Sequence, residues 1–411
     1  MRYVIIGNSA AAVGAIEGIR SKDKKGSITV ISIESHHTYS RPLISYLVQG
    51  KTDRDKMKYR PDSFYEDNNV NAILGRRVVK IIPDMSSVIL DDSSAVEYDK
   101  LLVATGSSPF MPPIQGLNDV KRVHTFMTLD DAVNLLEIIN SQSRVLILGA
   151  GLIGLKCLEA ISGKVASVTV IDLADQVLPS VLDKKSSQIV KEFLEKKNVD
   201  IRLSCSIKQA YENSALLTDG TQISFDILVM AVGVRPNISI LKAAGAYADR
   251  GIIVDHQQHT SIKDIYAAGD CTQGYDMSIE KNRVLALLPN AYMQGYTAGL
   301  NMTGEEKTFD TGMPMNALSL MGMHILSAGV YEGEDYTEEK EGKYKKLFYS
   351  QDTLKGFILV NDIDCAGIYT AMIRNKTPLS SVDFELIKQK PSLCALAKER
   401  RSNLLNGKET W

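Results

Sequence analysis

Short apolar runs and helical patterns alternate along the first part of the chain. Tyr3–Ile6 is a run rich in β-branched residues, a helical pattern follows to about Arg20, and a second such run covers Ile28–Ile33. Apolar runs of this length are typical of strands buried in a parallel sheet. The stretch therefore predicts a strand, a tight turn, a helix and a second strand.

The same order returns farther along the chain. Arg144–Leu148 predicts a strand, a helix runs to about Ser162, and Val168–Ile171 predicts the next strand. Leu101–Ala104 and the beginning of Phe225–Asn237 predict further buried strands. The predicted fold class is α/β, with two Rossmann-like dinucleotide-binding domains.

Between the two units the pattern is less regular. The charged segment Asp53–Asn69 predicts an exposed helix. It is followed by three short runs that predict an antiparallel β insert. These runs are Val70–Leu74, Arg77–Ile82 and Ser87–Leu90.

The pattern changes again after Gly312, where short strands replace the long alternation. The charged stretch Glu332–Lys346 predicts a solvated hairpin, and helical patterns cover Cys365–Arg374 and Asp383–Ile387 before a basic tail. We interpret this part as a smaller α+β C-terminal domain.

The first predicted turn carries a degenerate glycine fingerprint. The three positions that are usually glycine fall at Gly7, Ser9 and Ala12, which are all small enough for a close approach of the backbone. Glu34 follows the second strand, where an acid can accept hydrogen bonds from a ribose. A helix N-terminus at such a turn can bind a diphosphate. Taken alone, the stretch also fits an ordinary βαβ unit with a small-residue turn.

The second predicted turn is intact. Gly149, Gly151 and Gly154 follow a strand and open a helix, and Asp172 lies close to the roughly 20-residue spacing expected for a ribose-binding acid. An acid at this position favours the free 2′-hydroxyl of NADH. The residues after it, Leu-Ala-Asp-Gln, provide no Arg for a 2′-phosphate.

Composition narrows the function classes. The chain has 411 residues and a net charge of −2, so it shows no general attraction to nucleic acid or to an anionic membrane. No apolar run reaches the roughly 18 residues that span a bilayer, and no leader pattern precedes the first strand, so we expect a cytoplasmic protein. The cysteines have no CxxC spacing, so we expect isolated thiols and no metal site. They are Cys157, Cys205, Cys271, Cys365 and Cys394.

Two dinucleotide units, an Ala-Thr-Gly turn at Thr105–Gly106 and an Ala-Gly-Asp strand end at Gly269–Asp270 occur in a characteristic order. Over about residues 1–310 the chain resembles the FAD/NAD(P)-dependent oxidoreductases of the glutathione-reductase structural class. The resemblance implies FAD in the first unit and NAD in the second. It also implies FAD-binding segments at 1–110 and 241–311, an NAD-binding domain at 111–240 and a C-terminal domain at 312–411.

Carried over by position, Gly7, Ser9 and Ala12 would face the FAD diphosphate, Glu34 its ribose and Asp270 its ribitol. Thr105 and Gly106 would lie beside the flavin nucleotide, while Gly149, Gly151, Gly154 and Asp172 would hold NADH. No catalytic side chain is expected, because the cofactor carries the chemistry. The other expected cofactor contacts are Ala10, Ala11, Ser35, Arg41, Pro42, Val78, Ala104, Leu152, Ile153, Gly233, Gly269, Leu288 and Asn290.

Departures from the class narrow the subfamily. The chain has no Cys between Met1 and Lys156, so the thiol relay of the disulfide reductases is excluded at its usual position. The segment Tyr-Ser-Arg-Pro-Leu-Ile-Ser instead resembles NADH:rubredoxin reductases, ferredoxin reductases and the nitrite reductase flavin module. Segments such as Gly-Ala-Gly-Leu-Ile-Gly-Leu-Lys also resemble flavin reductases associated with carbon monoxide dehydrogenase. Tyr46 and Lys156 stand where many relatives carry a Lys and a Glu that can pair beside the flavin, and their roles stay open.

The resemblance implies an FAD-containing NADH oxidoreductase that passes electrons to rubredoxin, ferredoxin or an iron–sulfur subunit. The electron acceptor is expected to dock on the C-terminal domain. Whether the chain forms a homodimer is left open. The alternatives are an NADH oxidase or diaphorase that uses oxygen or small acceptors, and a flavin-bearing complex subunit or redox sensor with negligible turnover.

Overall fold

The computed structural model describes residues 1–392, 395, 402–403 and 405–408. Cys394 and most of the basic tail lie outside these residues. The chain divides into two compact units, a first unit of residues 1–111, 125–138 and 233–312, and a second unit of residues 112–124, 139–232 and 313–411. No helix in the described ranges combines the length and the apolar composition needed to cross a membrane.

The first unit is built on a five-stranded parallel sheet. Its central strands pair in parallel because their apolar residues face the core on both sides of the sheet. In spatial order the strands are Ile265–Ala267, Lys100–Val103, Arg2–Ile6, Ser27–Ser32 and Val70–Leu74.

The prediction that Val70–Leu74 belongs to an antiparallel insert is wrong. This strand pairs in parallel with Ser27–Ser32, so it forms the edge of the main sheet. The chain between the two strands is long enough for the crossover that parallel pairing needs. The antiparallel insert is confirmed for Val78–Ile82 and Ser87–Leu90, and the structure adds a third strand to it, Ala95–Glu97.

The predicted helix at Asp53–Asn69 is wrong, because only Phe64–Asp67 is helical. Asp53 accepts a hydrogen bond from the Lys56 backbone N–H at 2.9 Å, and such local side-chain contacts compete with helix formation. Met57 is fully buried, and its carbonyl accepts from the Ser40 N–H at 2.8 Å. The segment is therefore mainly a loop, and the buried side chains of Met57 and Phe64 anchor it to the unit.

Two helices of the first unit, Ala10–Lys22 and Leu288–Met302, pack together closely. A Cβ atom at Gly14 or Gly18 would overlap the backbone of the second helix, and one at Gly295 would overlap the backbone of the first. Residues near the start of one helix meet residues near the start of the other, so the two helices run in the same direction. Their N-termini therefore lie side by side at one end of the sheet.

The remaining elements of the first unit are short. Ser107–Pro109 pairs with Val234–Pro236, and a further sheet contains Ile252–Ile253, Thr272–Asp276 and Lys281–Arg283. The other helices and 3₁₀ turns are Arg41–Leu43, Ile44–Gln49, Pro83–Met85, Leu129–Ile138 and Ser239–Ala243.

The second unit contains another five-stranded parallel sheet, which together with the first confirms the predicted α/β class. Leu152–Ile161 and Lys184–Glu195 are its main helices, and Leu117–Asp119 is a 3₁₀ turn. The strands in spatial order are Asp200–Arg202, Ser167–Ile171, Arg144–Leu148, Ile227–Met230 and Val123–His124. A small antiparallel sheet holds Ile207–Tyr211, Ser214–Leu217 and Gln222–Ser224.

The C-terminal part of the second unit is a five-stranded antiparallel sheet with helices. The hairpin predicted at Glu332–Lys346 is confirmed, although its second strand is half-buried rather than fully solvated. The strands in spatial order are Met315–Leu320, Met323–Gly329, Thr353–Val360, Lys343–Ser350 and Glu334–Lys340. The helical elements are Ala366–Arg374, Leu379–Ser381 and Phe384–Gln389.

Candidate cofactor-binding sites

The turn after the first strand requires glycine at its first position. Gly7 has a φ of +124°, and a Cβ atom there would overlap the carbonyl oxygen of Ala104. Its N–H donates to the Ile31 carbonyl at 2.8 Å, which ties the turn to the neighbouring strand. The helix that begins at Ala10 follows directly, so its free N–H groups point out of the turn.

A cavity of the first unit runs along this turn. Most of the cofactor contacts predicted for this unit line it, namely Gly7, Ser9, Ala10, Ala11, Glu34, Arg41, Val78, Ala104, Thr105, Gly106, Gly269, Asp270 and Leu288. Four predicted contacts do not line it: Ala12 and Asn290 are buried, and Ser35 and Pro42 are exposed on the surface. Residues that the sequence analysis missed also line it, among them Asn8, Arg76, Arg77, Met127 and Asn237.

One end of the cavity is organised around Glu34. Its carboxylate pairs with the Arg41 guanidinium and accepts a hydrogen bond from the Tyr39 hydroxyl at 2.6 Å. Burial raises the pKa of Tyr39, so the phenol stays neutral and can donate. Arg41 also donates to the Met127 carbonyl at 3.2 Å, and the Tyr39 oxygen accepts from the Leu129 N–H at 3.0 Å. The acid is therefore held in one orientation beside the turn.

The other end of the cavity is organised around Asp270. Burial raises the pKa of this carboxyl, while a hydrogen bond from Ser107 at 3.2 Å and the charge of Arg41 act in the opposite direction. Thr105 donates to the Asn237 carbonyl at 2.8 Å, and the Asn237 side chain donates back to the Thr105 carbonyl at 2.9 Å. The Ala-Thr-Gly turn is therefore fixed next to the carboxyl group.

The donor set of this cavity fits a molecule such as FAD. Glu34 offers oxygen acceptors at one end, Asp270 offers them at the other, and N–H groups of the Gly7 turn lie between them. Hydroxyl groups need acceptors, and a diphosphate needs backbone N–H donors at a helix N-terminus. A dinucleotide with a ribose, a diphosphate and a polyol chain presents these groups in that order.

The second unit contains the intact glycine turn. Gly149 has a φ of +118° and would overlap the Ala231 carbonyl if it carried a Cβ, and a Cβ at Gly154 would overlap the Gly149 carbonyl. Gly151 caps the helix that begins with Leu152 and Ile153, as predicted from the pattern. Gly233 lies in the first unit, where it has a φ of +106°.

Asp172 is held against the glycine turn of the second unit. Its carboxylate accepts hydrogen bonds from the Ala150 N–H at 2.6 Å and from the Ala174 N–H at 2.8 Å. The next side chain, Leu173, is 73% exposed. The arrangement offers a fixed carboxylate and an apolar surface beside the start of a helix, which fits the ribose and base of a nicotinamide dinucleotide.

Lys156 forms an ion pair and a hydrogen bond within the second unit. Its ammonium group pairs with Glu159 and donates to the Ser319 carbonyl at 3.2 Å, and Glu159 accepts from the Met321 N–H at 2.7 Å. Only 19% of the Lys156 side chain is exposed, so these contacts take it largely out of solvent. The pair connects the helix after the glycine turn to the hairpin formed by the strands Met315–Leu320 and Met323–Gly329.

Comparison with known proteins gives two family matches and several relatives. The pyridine nucleotide-disulphide oxidoreductase family matches residues 1–295, and the rubredoxin NAD+ reductase C-terminal domain matches residues 314–377. The chain is 32% identical over 393 residues to the NADH-dependent phenylglyoxylate dehydrogenase subunit epsilon of Aromatoleum evansii, which covers 92% of this chain and 93% of that protein.

A longer relative and a solved structure complete the comparison. The assimilatory nitrate reductase electron transfer subunit of Bacillus subtilis (strain 168) is 31% identical over 373 residues, and the match covers 88% of this chain but only 48% of that protein. The crystal structure of a covalent putidaredoxin reductase–putidaredoxin complex superposes with a TM-score of 0.86 at 23% identity, covering 99% of this chain and 98% of that chain. This last likeness shows the fold.

Proposed function

Because the chain belongs to the pyridine nucleotide-disulphide oxidoreductase family, we propose that it is an FAD-dependent NADH oxidoreductase that delivers electrons to an external one-electron carrier. The observation that carries the proposal is the first-unit cavity, which offers acceptors at both ends and, among the described residues, is lined by no cysteine. Electrons that arrive there have no thiol relay inside the cavity and must leave for an acceptor outside the chain.

The geometry supports a specific set of residues as the cofactor ligands. Gly7, Glu34 and Asp270 would bind the diphosphate, the ribose and the polyol chain of FAD, and the turn at Gly149 with Asp172 would bind NADH. Bound there, FAD would supply a ring that accepts a hydride from NADH and can release its two electrons singly. The protein's own task is to orient the two dinucleotides. Segments 1–110 and 241–311 are assigned to FAD and segment 111–240 to NAD, except for residues 125–138 and 233–240, which belong to the first unit.

A small iron–sulfur protein or an iron–sulfur subunit suits this proposal as the acceptor. The C-terminal part matches the rubredoxin NAD+ reductase C-terminal domain, and the similar solved structure is a reductase in complex with putidaredoxin. Two relatives are named as subunits, one of an NADH-dependent dehydrogenase and one for electron transfer to nitrate reductase. We assign the docking surface to segment 312–411, and a contact of under about 1,200 Å² is enough for a transient redox complex.

Reoxidation kinetics test the acceptor. The FAD-loaded protein, reduced with NADH without air, is mixed in a stopped-flow instrument with micromolar ferredoxin or rubredoxin, or with air-saturated buffer. We expect the carrier to reoxidise the protein faster than oxygen does, because a docked carrier receives single electrons at short range. Free reduced FAD with the same carrier is the control. Faster reoxidation by oxygen would favour an NADH oxidase, and failure of the purified chain to bind FAD would remove the proposal.

Replacing all five cysteines with Ser is expected to leave the rate of NADH-driven reduction unchanged within about twofold. Cys271 follows Asp270 in the chain but does not line the cavity; it is fully buried, and its thiol contacts the carbonyl oxygens of Val103 and Ala268 at 3.5 and 3.4 Å. Burial raises the pKa of Cys271 to about 11, so the thiol is protonated at neutral pH and is a poor nucleophile. Anaerobic single-turnover reduction measures the rate, with the exposed Cys365→Ser variant as the control. A large loss in the folded variant would require a hidden thiol relay.

A further inference from the structure

A buried amide supports the Asp270 end of the first-unit cavity. Gln294 lies on the helix Leu288–Met302 and is only 2% exposed. Its side-chain oxygen accepts a hydrogen bond from the Gly269 N–H at 2.8 Å and lies 3.3 Å from the Thr272 hydroxyl oxygen. Because a backbone N–H can only donate, the oxygen of the amide must be the atom that faces Gly269.

The turn that Gln294 contacts needs such support. Gly269 has a φ of +84°, and the Thr272 N–H and hydroxyl both donate to its carbonyl, at 2.9 and 2.8 Å. Asp270 is the next residue in this turn, and it lines the cavity. Without Gln294 the Gly269 N–H would be buried without an acceptor, which costs free energy and frees the turn to change its conformation.

The same helix also forms part of the cavity wall. Leu288 and Ala291 line the cavity near the N-terminus of the helix, and Gln294 lies one turn farther along. The helix is fixed by its close packing on Ala10–Lys22. A rigid element therefore connects the cavity wall to the turn that carries the carboxyl group.

We propose that Gln294 is a positioning residue for the polyol end of the bound dinucleotide. It acts through Gly269 and Thr272, and it aims the Asp270 carboxyl group at the hydroxyl groups of the ligand. The inference rests on the proposed function, because the polyol in question is the ribityl chain of FAD. It assigns Gln294 no contact with the adenosine end, which is organised around Glu34.

A comparison of two ligands, FAD and ADP, distinguishes a positioning role of Gln294 from a general effect on the stability of the protein. The Gln294→Met variant keeps the volume of the side chain but removes the acceptor, and we expect it to raise the Kd for FAD by about five- to twentyfold. The Kd for ADP, which has a ribose and a diphosphate but no polyol, is expected to stay within about twofold. Quenching of FAD fluorescence measures the first value, and displacement of FAD from the wild-type and variant apoproteins by ADP measures the second.

Gln258→Met is the matched control. Gln258 lies in the same unit, is 1% exposed and has a side-chain oxygen that accepts no hydrogen bond from the described part of the chain, so this variant also replaces a buried amide with a thioether. It should leave both Kd values within about twofold. If Gln294→Met does not fold, Thr272→Val removes the hydroxyl that lies between the Gln294 oxygen and the Gly269 carbonyl, and it should weaken the binding of FAD but not of ADP, by a smaller factor.

Several outcomes would overturn the inference. It is wrong if the folded Gln294→Met variant binds FAD as tightly as the wild-type protein, or if it loses FAD and ADP affinity equally. In both cases the proposed function would still stand, provided that the wild-type protein binds FAD. A wild-type apoprotein that binds ADP but not FAD would instead remove the proposed function, and this inference with it.

Discussion

The Asp172→Asn variant is expected to lower the preference for NADH over NADPH, expressed as the ratio of the two kcat/KM values, by roughly a hundredfold or more. A carboxylate beside a 2′-phosphate costs several kcal/mol through like-charge repulsion, and about 1.4 kcal/mol corresponds to a factor of ten. Asn removes the charge, but its single side-chain oxygen can keep only one of the two backbone hydrogen bonds, from Ala150 or from Ala174. The lost bond affects both nucleotides, so the ratio of the two kcat/KM values reports the effect of charge.

Two further variants sharpen this experiment. Asp175→Ala removes a nearby exposed carboxylate that pairs with Lys184 at 3.3 Å, and it should leave the ratio within about threefold. Adding Leu173→Arg to Asp172→Asn places a cation next to the ribose position, and it should raise kcat/KM for NADPH further. An unchanged ratio in Asp172→Asn, measured by steady-state kinetics with a dye acceptor, would contradict the role assigned to Asp172.

The glycine turns were predictable because their signals are local. Gly7 and Gly149 each need a positive φ and a close approach to a neighbouring carbonyl, and both requirements restrict the residue at one position. Glu34 and Asp172 could likewise be placed, because an acid at the end of the second strand has a fixed relation to the turn. The α/β class followed from the repetition of these units.

Long-range partners could not be predicted from the sequence. Tyr39 and Arg41 bind Glu34, and they are themselves fixed by hydrogen bonds to the backbone of Leu129 and Met127. Nothing in the sequence around Tyr39 or Arg41 indicates these distant partners. Val70–Leu74 is too short for its pattern to distinguish parallel from antiparallel pairing, because the partner strand determines it. The support of Asp270 by a side chain on a distant helix is of the same kind.

The prediction of a helix at Asp53–Asn69 was wrong for a different reason. Its composition is compatible with a helix, but side chains such as Asp53 bond to nearby backbone groups, and Met57 is buried by tertiary contacts. Propensity is a weak signal, and packing of a single apolar side chain can override it. The loop that results forms an isolated antiparallel bridge between Tyr39 and Lys58.

The Asp270→Asn variant is expected to bind FAD about ten- to a hundredfold more weakly, while its apoprotein becomes more stable than the wild type at neutral pH. A hydrogen bond to a charged acceptor contributes roughly 1.5–3 kcal/mol, and Asn offers the ligand hydroxyls a weaker, neutral acceptor. The gain in stability has a separate cause. Burial raises the pKa of Asp270, so the folded apoprotein holds an ionised carboxylate at a cost that the neutral amide avoids.

The pH dependence distinguishes this explanation from a general change in packing. Because the folded pKa of Asp270 lies above the unfolded value, the wild-type apoprotein carries no penalty below the ordinary Asp pKa of about 3.9. The penalty grows as the pH rises toward the raised pKa and is complete above it. The difference in Tm between Asp270→Asn and wild-type apoprotein should therefore be small near pH 4 and largest at neutral pH. Asp264→Asn, at a carboxylate paired with Lys100 outside the cavity, should change neither FAD affinity nor this pattern. Equal FAD affinity in Asp270→Asn and the wild-type protein would show that the half-buried carboxyl group has no part in binding the cofactor.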